Sequence, residues 1–593
     1  MSSRIPRPAP AHPAHPARPV VLAYAAVAAV FLPIAGIAIR SGGFTAGGIA
    51  LAFSAGAMGI ARSLHIRIPA VRIVNGAAQH LTRGNIAEAE ALLASIGAAA
   101  ARDGIVARAA SILRALIALY DGRVVEAEAF ATLAIEKRLG LLTRSFELQQ
   151  IVAAHAVRAL ARAARGDAAG AKADADVAEG SVDATPEVIA RARLVRALLA
   201  SRAAYHEEAF RAYLAANARL VLEHAMPRER ALFRALRRMS RSPQRSVYRE
   251  PARTKDDRAP SKLASWIATV APEATAYVDG DRLLVESVEA MPIESGVPSD
   301  VRALRIARKS QSSAARPGRS RRRLLALSVV LVILFLALGQ LLTPAETAPP
   351  VAAVEPSWLV GFIIDLVPVG LLALLMTVVV SRGRRRQRAL SIARRLAALG
   401  ERDRAKQALT ELTTGRNGMI AATAGLELAR LAAQEAKFAE AISRCDAAIA
   451  RVQRQPLRAA ATDILLPTLM TESAVAMAAR GGSDEAATEL AVLGRDFPTY
   501  SQLAVAQLRV RLLSAVHGAD RHEARALAKA RTTEMLLPYR EEVLADLVLA
   551  SHRDLTEEDL ARLDSELQDD AELRAWLDAV APGLRADRES IFR

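Results

Sequence analysis

Two series of turn positions run in step along the chain. Gly84, Gly122, Gly166 and Ala204 lie 38, 44 and 38 residues apart; Gly400, Ala436, Gly481 and Ala519 lie 36, 45 and 38 apart. Five positions after each comes an alanine: Ala89, Ala127, Ala171 and Ala209 in the first series, Ala405, Ala441, Ala486 and Ala524 in the second. Seven positions before each stand Ala77, Ala115, Ala159, Ala197, Ala393, Ala429 and Ala474, with Leu512 in the eighth. A small residue on either side of a turn lets two antiparallel helices approach closely, and a period near forty residues suits stacked helical hairpins. Two further segments match between the series. Met226–Leu236 parallels Leu537–Leu547, and Lys262–Pro272 parallels Glu572–Pro582, which pairs Trp266 with Trp576 in a chain of three tryptophans. The chain reads as a tandem duplication of one helical array. Aromatic residues at 4% argue against a β-sandwich, while abundant Ala, Leu, Arg and Glu favour helices.

The frame Ala429-x6-Ala436-Lys-Phe-Ala-Glu-Ala441-x6-Ala448, and its counterpart Ala115, Gly122, Ala127 and Ala134, resembles the tetratricopeptide repeat superfamily. The likeness covers roughly residues 70–235 and 388–550, although that family's early aromatic and terminal proline are mostly absent. It implies an α-solenoid whose concave face would hold a peptide or a helix of another protein.

Four apolar runs complete the outline: Val20–Ile39, Phe44–Ala61, Leu324–Leu342 and Trp358–Val380. At 1.5 Å per residue each approaches the roughly 30 Å thickness of a bilayer core. Arg4, Arg7 and Arg18 precede the first run and Arg62, Arg67 and Arg72 follow the second, while Arg319–Arg323 and Arg382–Arg388 flank the other pair. The positive-inside rule then places both termini and both arrays in the cytoplasm. The expected fold class is an all-α integral membrane protein of the inner membrane, with two transmembrane hairpins and two tetratricopeptide-like arrays. Its order is a disordered Pro/His-rich leader (1–19), hairpin (20–61), array (70–239), basic linker (240–323), hairpin (324–380), array (388–550) and C-terminal Trp element (551–593). The linker carries the first Trp element (262–272) and a segment at 276–285 that reads as a β-hairpin around Asp279-Gly280.

Candidate chemistry is sparse. The sequence has no phosphate-binding loop, dinucleotide fingerprint, His-Glu-x-x-His or Gly-x-Ser-x-Gly, so neither an enzyme nor a cofactor or metal is expected. A single Cys445 excludes a disulfide framework. Glu88, Glu90, Glu541 and Glu542 read as solvated helix carboxylates, and His12, His15, His517 and His522 as surface residues. Asp365, inside the fourth apolar run, is the one candidate intramembrane functional residue. Arg319–Arg323 and Arg382–Arg388 suit anionic lipid headgroups, and without interleaved aromatics nucleic acid is not expected. The expected function is a membrane-anchored scaffold that binds proteins or peptides on its arrays. The alternative is a small transporter or channel component built from the four apolar runs.

Overall fold

The computed structural model describes residues 69–97, 103–137, 144–241, 262–277, 381–453, 465–530 and 537–584, apart from single positions and short stretches inside those ranges. The described residues are α-helical, with one 3-10 helix and no strand. The first array comprises α1 (Ile86–Ala94), α2 (Gly104–Tyr120), α3 (Val124–Glu136), α4 (Arg144–Arg165), α5 (Ala168–Gly180), α6 (Pro186–Ala204), α7 (Glu208–His224), α8 (Pro227–Arg241) and the Trp helix α9 (Lys262–Val270). The second comprises α10 (Arg402–Thr413), α11 (Gly418–Gln434), α12 (Phe438–Gln453), α13 (Leu466–Ala479), α14 (Ser483–Asp496), α15 (Leu503–His517), α16 (Arg521–Ala530), α17 (Tyr539–Ser551), α18 (Glu557–Asp569) and the Trp helix α19 (Ala571–Val580).

Consecutive helices pack as antiparallel hairpins, and the turn positions are where the backbone reverses. Gly122, Gly166, Gly400 and Gly481 have positive φ, and Ala436 does too at 58°. At each, two hydrogen bonds close the end of a helix. Around Gly122, Arg123 N donates to Ala118 O at 2.8 Å and Gly122 N to Leu119 O at 3.1 Å; the same pair recurs from Lys437 to Ala432 and from Ala436 to Ala433. This is the left-handed C-terminal cap that satisfies orphan carbonyls and favours glycine. A Cβ on Gly166 or Gly400 would meet nothing within 4 Å, so there the requirement is conformational rather than steric. Arg553 adds a sixth such cap, between α17 and α18, with no small residue to announce it.

The helix contacts fall on the alanines. Ala77, Ala115, Ala159, Ala197, Ala393 and Ala474 are fully buried, as are Ala127, Ala171, Ala405 and Ala486; Ala89, Ala429, Ala441 and Ala524 are nearly so. Ala209 is exposed, and its neighbour Phe210 is buried instead. The reason is that α6 continues through Ala204, which moves this hairpin on by about one residue. Gly84 and Ala519 lie outside the described residues.

Equivalent contacts tie the two copies to one design. Arg202, near the end of α6, donates to Val270 O of α9 at 2.8 Å, and His517, at the end of α15, meets Val580 O of α19 at 3.2 Å. Arg228 donates to Tyr120 O, and Arg540 donates to Gln434 O at 2.9 Å. That second pair aligns Arg228-Glu229 with Arg540-Glu541, one residue away from the pairing that the prolines alone suggest.

The expected membrane architecture is corrected. Among the described residues no helix is long and apolar enough to cross a membrane. The longest, α4, carries Arg144, Glu147, Arg158, Arg162 and Arg165, and α6 carries Arg191, Arg193, Arg196 and Arg202, so their length serves lateral packing. The apolar runs at 20–61 and 324–380, with Asp365 and Arg319–Arg323, lie outside the described residues. The structure supports an all-α fold of packed helices; it gives no support to a multi-pass inner-membrane protein. The expected β-hairpin is also corrected at its start: Ala276 and Tyr277 end a 3-10 helix, Pro272–Tyr277, and the rest of that segment is outside the described residues.

Candidate functional site

The inner face of the second array carries a ladder of alternating charge, one or two rungs per helix. Arg394, in the helical stretch 385–398, donates to Glu427 of α11 at 2.6 and 3.0 Å. Glu427 lies 3.6 Å from Arg430, one helical turn on. Arg430 donates to Glu472 of α13 at 3.1 Å, and Glu472 is 3.6 Å from Arg509 of α15. Arg509 closes the series on Glu541 of α17 at 2.6 and 2.8 Å. Some of these charges sit mid-helix between apolar neighbours, as in Leu426-Glu427-Leu428 and Leu508-Arg509-Val510, and the packing of successive hairpins brings the rungs of different helices together.

The ladder borders a cavity of about 450 Å3. Phe438, Tyr539 and Trp576 add aromatic surface, and Thr185, Glu187, Glu223 and His224 of the first array supply the opposite wall. Arg540 donates across that boundary to Glu223 at 3.0 and 3.3 Å. The side chains are unequally exposed: that of Arg430 is 41% exposed and that of Arg394 32%, while that of Glu541 is buried.

Burial opposes ionisation of Glu427, but Arg394 and Arg430 outweigh it and hold the carboxyl below the ordinary range. Glu472 is likewise lowered, against its burial, by Arg509 and Arg430. Both stay charged at neutral pH. With every rung facing an opposite charge, the ladder can orient dipolar or charged groups of a ligand by exchanging partners; it offers no lone base or nucleophile.

Two glutamates and one histidine stand elsewhere than expected. Glu541 and Glu542 are buried, at 4% and 0% exposure, whereas Glu88 and Glu90 are exposed. His517 abuts Gly481 and the end of α19, not solvent alone. Cys445 is buried inside α12, and burial pushes its thiol far up. Arg382, Arg385 and Arg388 are exposed. Among the described residues no three His, Cys, Asp or Glu side chains gather where a metal would sit. The ladder escaped sequence reading because each rung alone looks like a surface charge. Comparison of the copies exposes it: counted back from the turn positions, Glu427, Arg430, Glu472 and Arg509 correspond to Leu113, Leu116, Val157 and Leu194. No family model, curated protein or solved structure matches the chain.

Proposed function

We propose that the protein is a helical-repeat interaction scaffold of tetratricopeptide-like type, and that the inner face of its second array binds a short extended segment of another polypeptide. The observation that carries this reading is the pairing of an open cavity with charges that reach into it, above all Arg430. A volume of about 450 Å3 lies at the lower end of small-ligand clefts and is too small for several turns of a helix roughly 10 Å across. An extended stretch of a few residues fits it better. Paired charges on successive helices can meet the backbone and side-chain charges of such a stretch, while Trp576 and Phe438 cover apolar side chains.

Panning a displayed library of random peptides on the full chain tests this. Selected peptides should lose binding about tenfold or more on Arg430→Ala, the loss of one charged hydrogen-bond partner. They should keep it on Arg444→Ala, whose side chain pairs with Glu440 on the outer helix α12. Binders indifferent to Arg430, or no binders at all, would count against the proposal.

A further inference from the structure

The two arrays meet across charged residues that are mostly buried. Arg230 of α8 lies 3.3 Å from Glu542 of α17 and donates to Leu537 O at 3.2 Å. Arg234 also pairs with Glu542, and its Nε lies 3.4 Å from Glu566. Arg219 meets Glu572 at 2.9 Å. Gln149 and Ser391 share a hydrogen bond of 2.7 Å at another point of the boundary. Arg230, Arg234, Glu542 and Glu566 are all at most 8% exposed.

Position 230 has a particular place in this arrangement. Since Arg228-Glu229 aligns with Arg540-Glu541, the equivalent of Arg230 is Glu542, the residue it touches. An isologous pairing of two identical arrays through this contact would bring the position onto its own equivalent. In an association of two identical arrays that position would set like against like, Arg on Arg or Glu on Glu. The duplicated helices have opposite charge instead: α8 has six arginines and one glutamate, while α17 has one arginine and three acids. The inversion extends to the Trp helices, where Lys262 occupies the place of Glu572.

We infer that the arrays are docking partners for one another, specified by this charge inversion, and that each is thereby prevented from pairing with its own kind. At this contact the first array presents arginines and the second presents carboxylates. Self-pairing would bury repelling charges, which costs more than a neutral mismatch and discriminates strongly. The surface so built has one fitting occupant, the other half of the same chain.

Cross-linking in the full-length protein tests the inference. Gln149→Cys and Ser391→Cys place thiols on either side of the boundary for a short bis-maleimide, while native Cys445 is buried. Glu542→Arg should lower the cross-link yield about tenfold or more, and Arg230→Glu should do the same from the other side. Arg230→Glu combined with Glu542→Arg should restore it to within about twofold. Rescue by the double exchange separates pairing from folding, because a merely unfolded single variant would not be repaired by a second charged substitution. Full yield in either single variant, or a double variant no better than the singles, would overturn the inference. An equimolar mixture of the two single-cysteine chains should give no cross-linked dimer; a dimer would show the arrays pairing between molecules and overturn the within-chain assignment.

Discussion

The two arrays share hairpins, caps and alanine contacts, yet they finish their inner faces in opposite ways. In the first array Leu113, Leu116, Val157 and Leu194 are all at or below 8% exposure, and α8 packs on α6 while α9 packs on α4. Burying each such side chain is worth about 1.5–3 kcal/mol. In the second array the corresponding places hold Glu427, Arg430, Glu472 and Arg509, and α19 packs on α11 and α15 beside the cavity, which its Trp576 helps to line. Replacing paired, partly buried charges by well-packed apolar side chains of similar size is often neutral or stabilising. The difference teaches that the frame residues fix the hairpin, while the inner-face positions are free to be used as core or as a binding surface.

The sharpest way to break this comparison is to move a rung into the closed array. Val157→Glu would place a lone carboxylate at a fully buried site, with an expected loss of about 3–5 kcal/mol in denaturant unfolding. The reverse change, Glu472→Val, leaves Arg430 beside Glu427 and Arg509 beside Glu541, so its loss should stay near 1–3 kcal/mol. Equal losses would mean that the two faces do not differ as described.

The hairpin frame itself should behave alike in both copies. Ala127→Leu and Ala441→Leu add volume at closed helix contacts and should each cost about 1–3 kcal/mol, whereas Ala447→Leu on the exposed side of α12 should stay within about 0.5 kcal/mol. A negligible effect at 127 and 441 would remove the frame.

Acid should distinguish the arrays more gently. Glu427 and Glu472 have lowered folded-state pKa values, so their stabilisation is complete above the unfolded value of about 4.3 and is lost as pH falls through the folded values. Amide exchange in α11 and α13, corrected for its intrinsic rate, should accelerate in that descent. Within the first array the α4–α5 contact depends on Asp174, whose burial is outweighed by His155, Arg158 and Arg162 and whose pKa is held at about 2. It should therefore persist until pH approaches that value. Unchanged protection of α13 down to pH 2 would show that the ladder contributes nothing.

The hairpins were legible in the sequence because their causes are local. A glycine five residues before an alanine marks a cap and a contact that depend on one turn of chain. Arg553 escaped because a left-handed cap can be made at a cost by a larger residue, and Ala209 because one extra helical residue shifts a register. The inner faces were not legible one residue at a time. Glu472 becomes a rung only when α11 and α15 bring Arg430 and Arg509 to it, and Glu542 is a contact only because the copies dock. The membrane reading came from apolar runs outside the described residues, whereas the long helices that are described carry arginines for packing.

The smallest expected effect compares one turn between the copies. Gly122 and Ala436 are equivalent and both have positive φ, 79° and 58°. A side chain in that conformation costs about 1–2 kcal/mol, while glycine loses about 0.5–1 kcal/mol more backbone freedom on folding than alanine. The balance favours glycine by roughly 0.5–1 kcal/mol. Ala436→Gly should therefore raise stability, and Gly122→Ala should lower it by a similar amount. The new methyl at 122 would lie 3.5 Å from Thr269 Oγ1, an ordinary contact that neither forces nor relieves a shift. Opposite signs for the two changes in denaturant unfolding would attribute the effect to the cap. If both substitutions destabilised, Ala436 would have to be held by its methyl contacts, and the turns of the two arrays would differ in kind as their inner faces do.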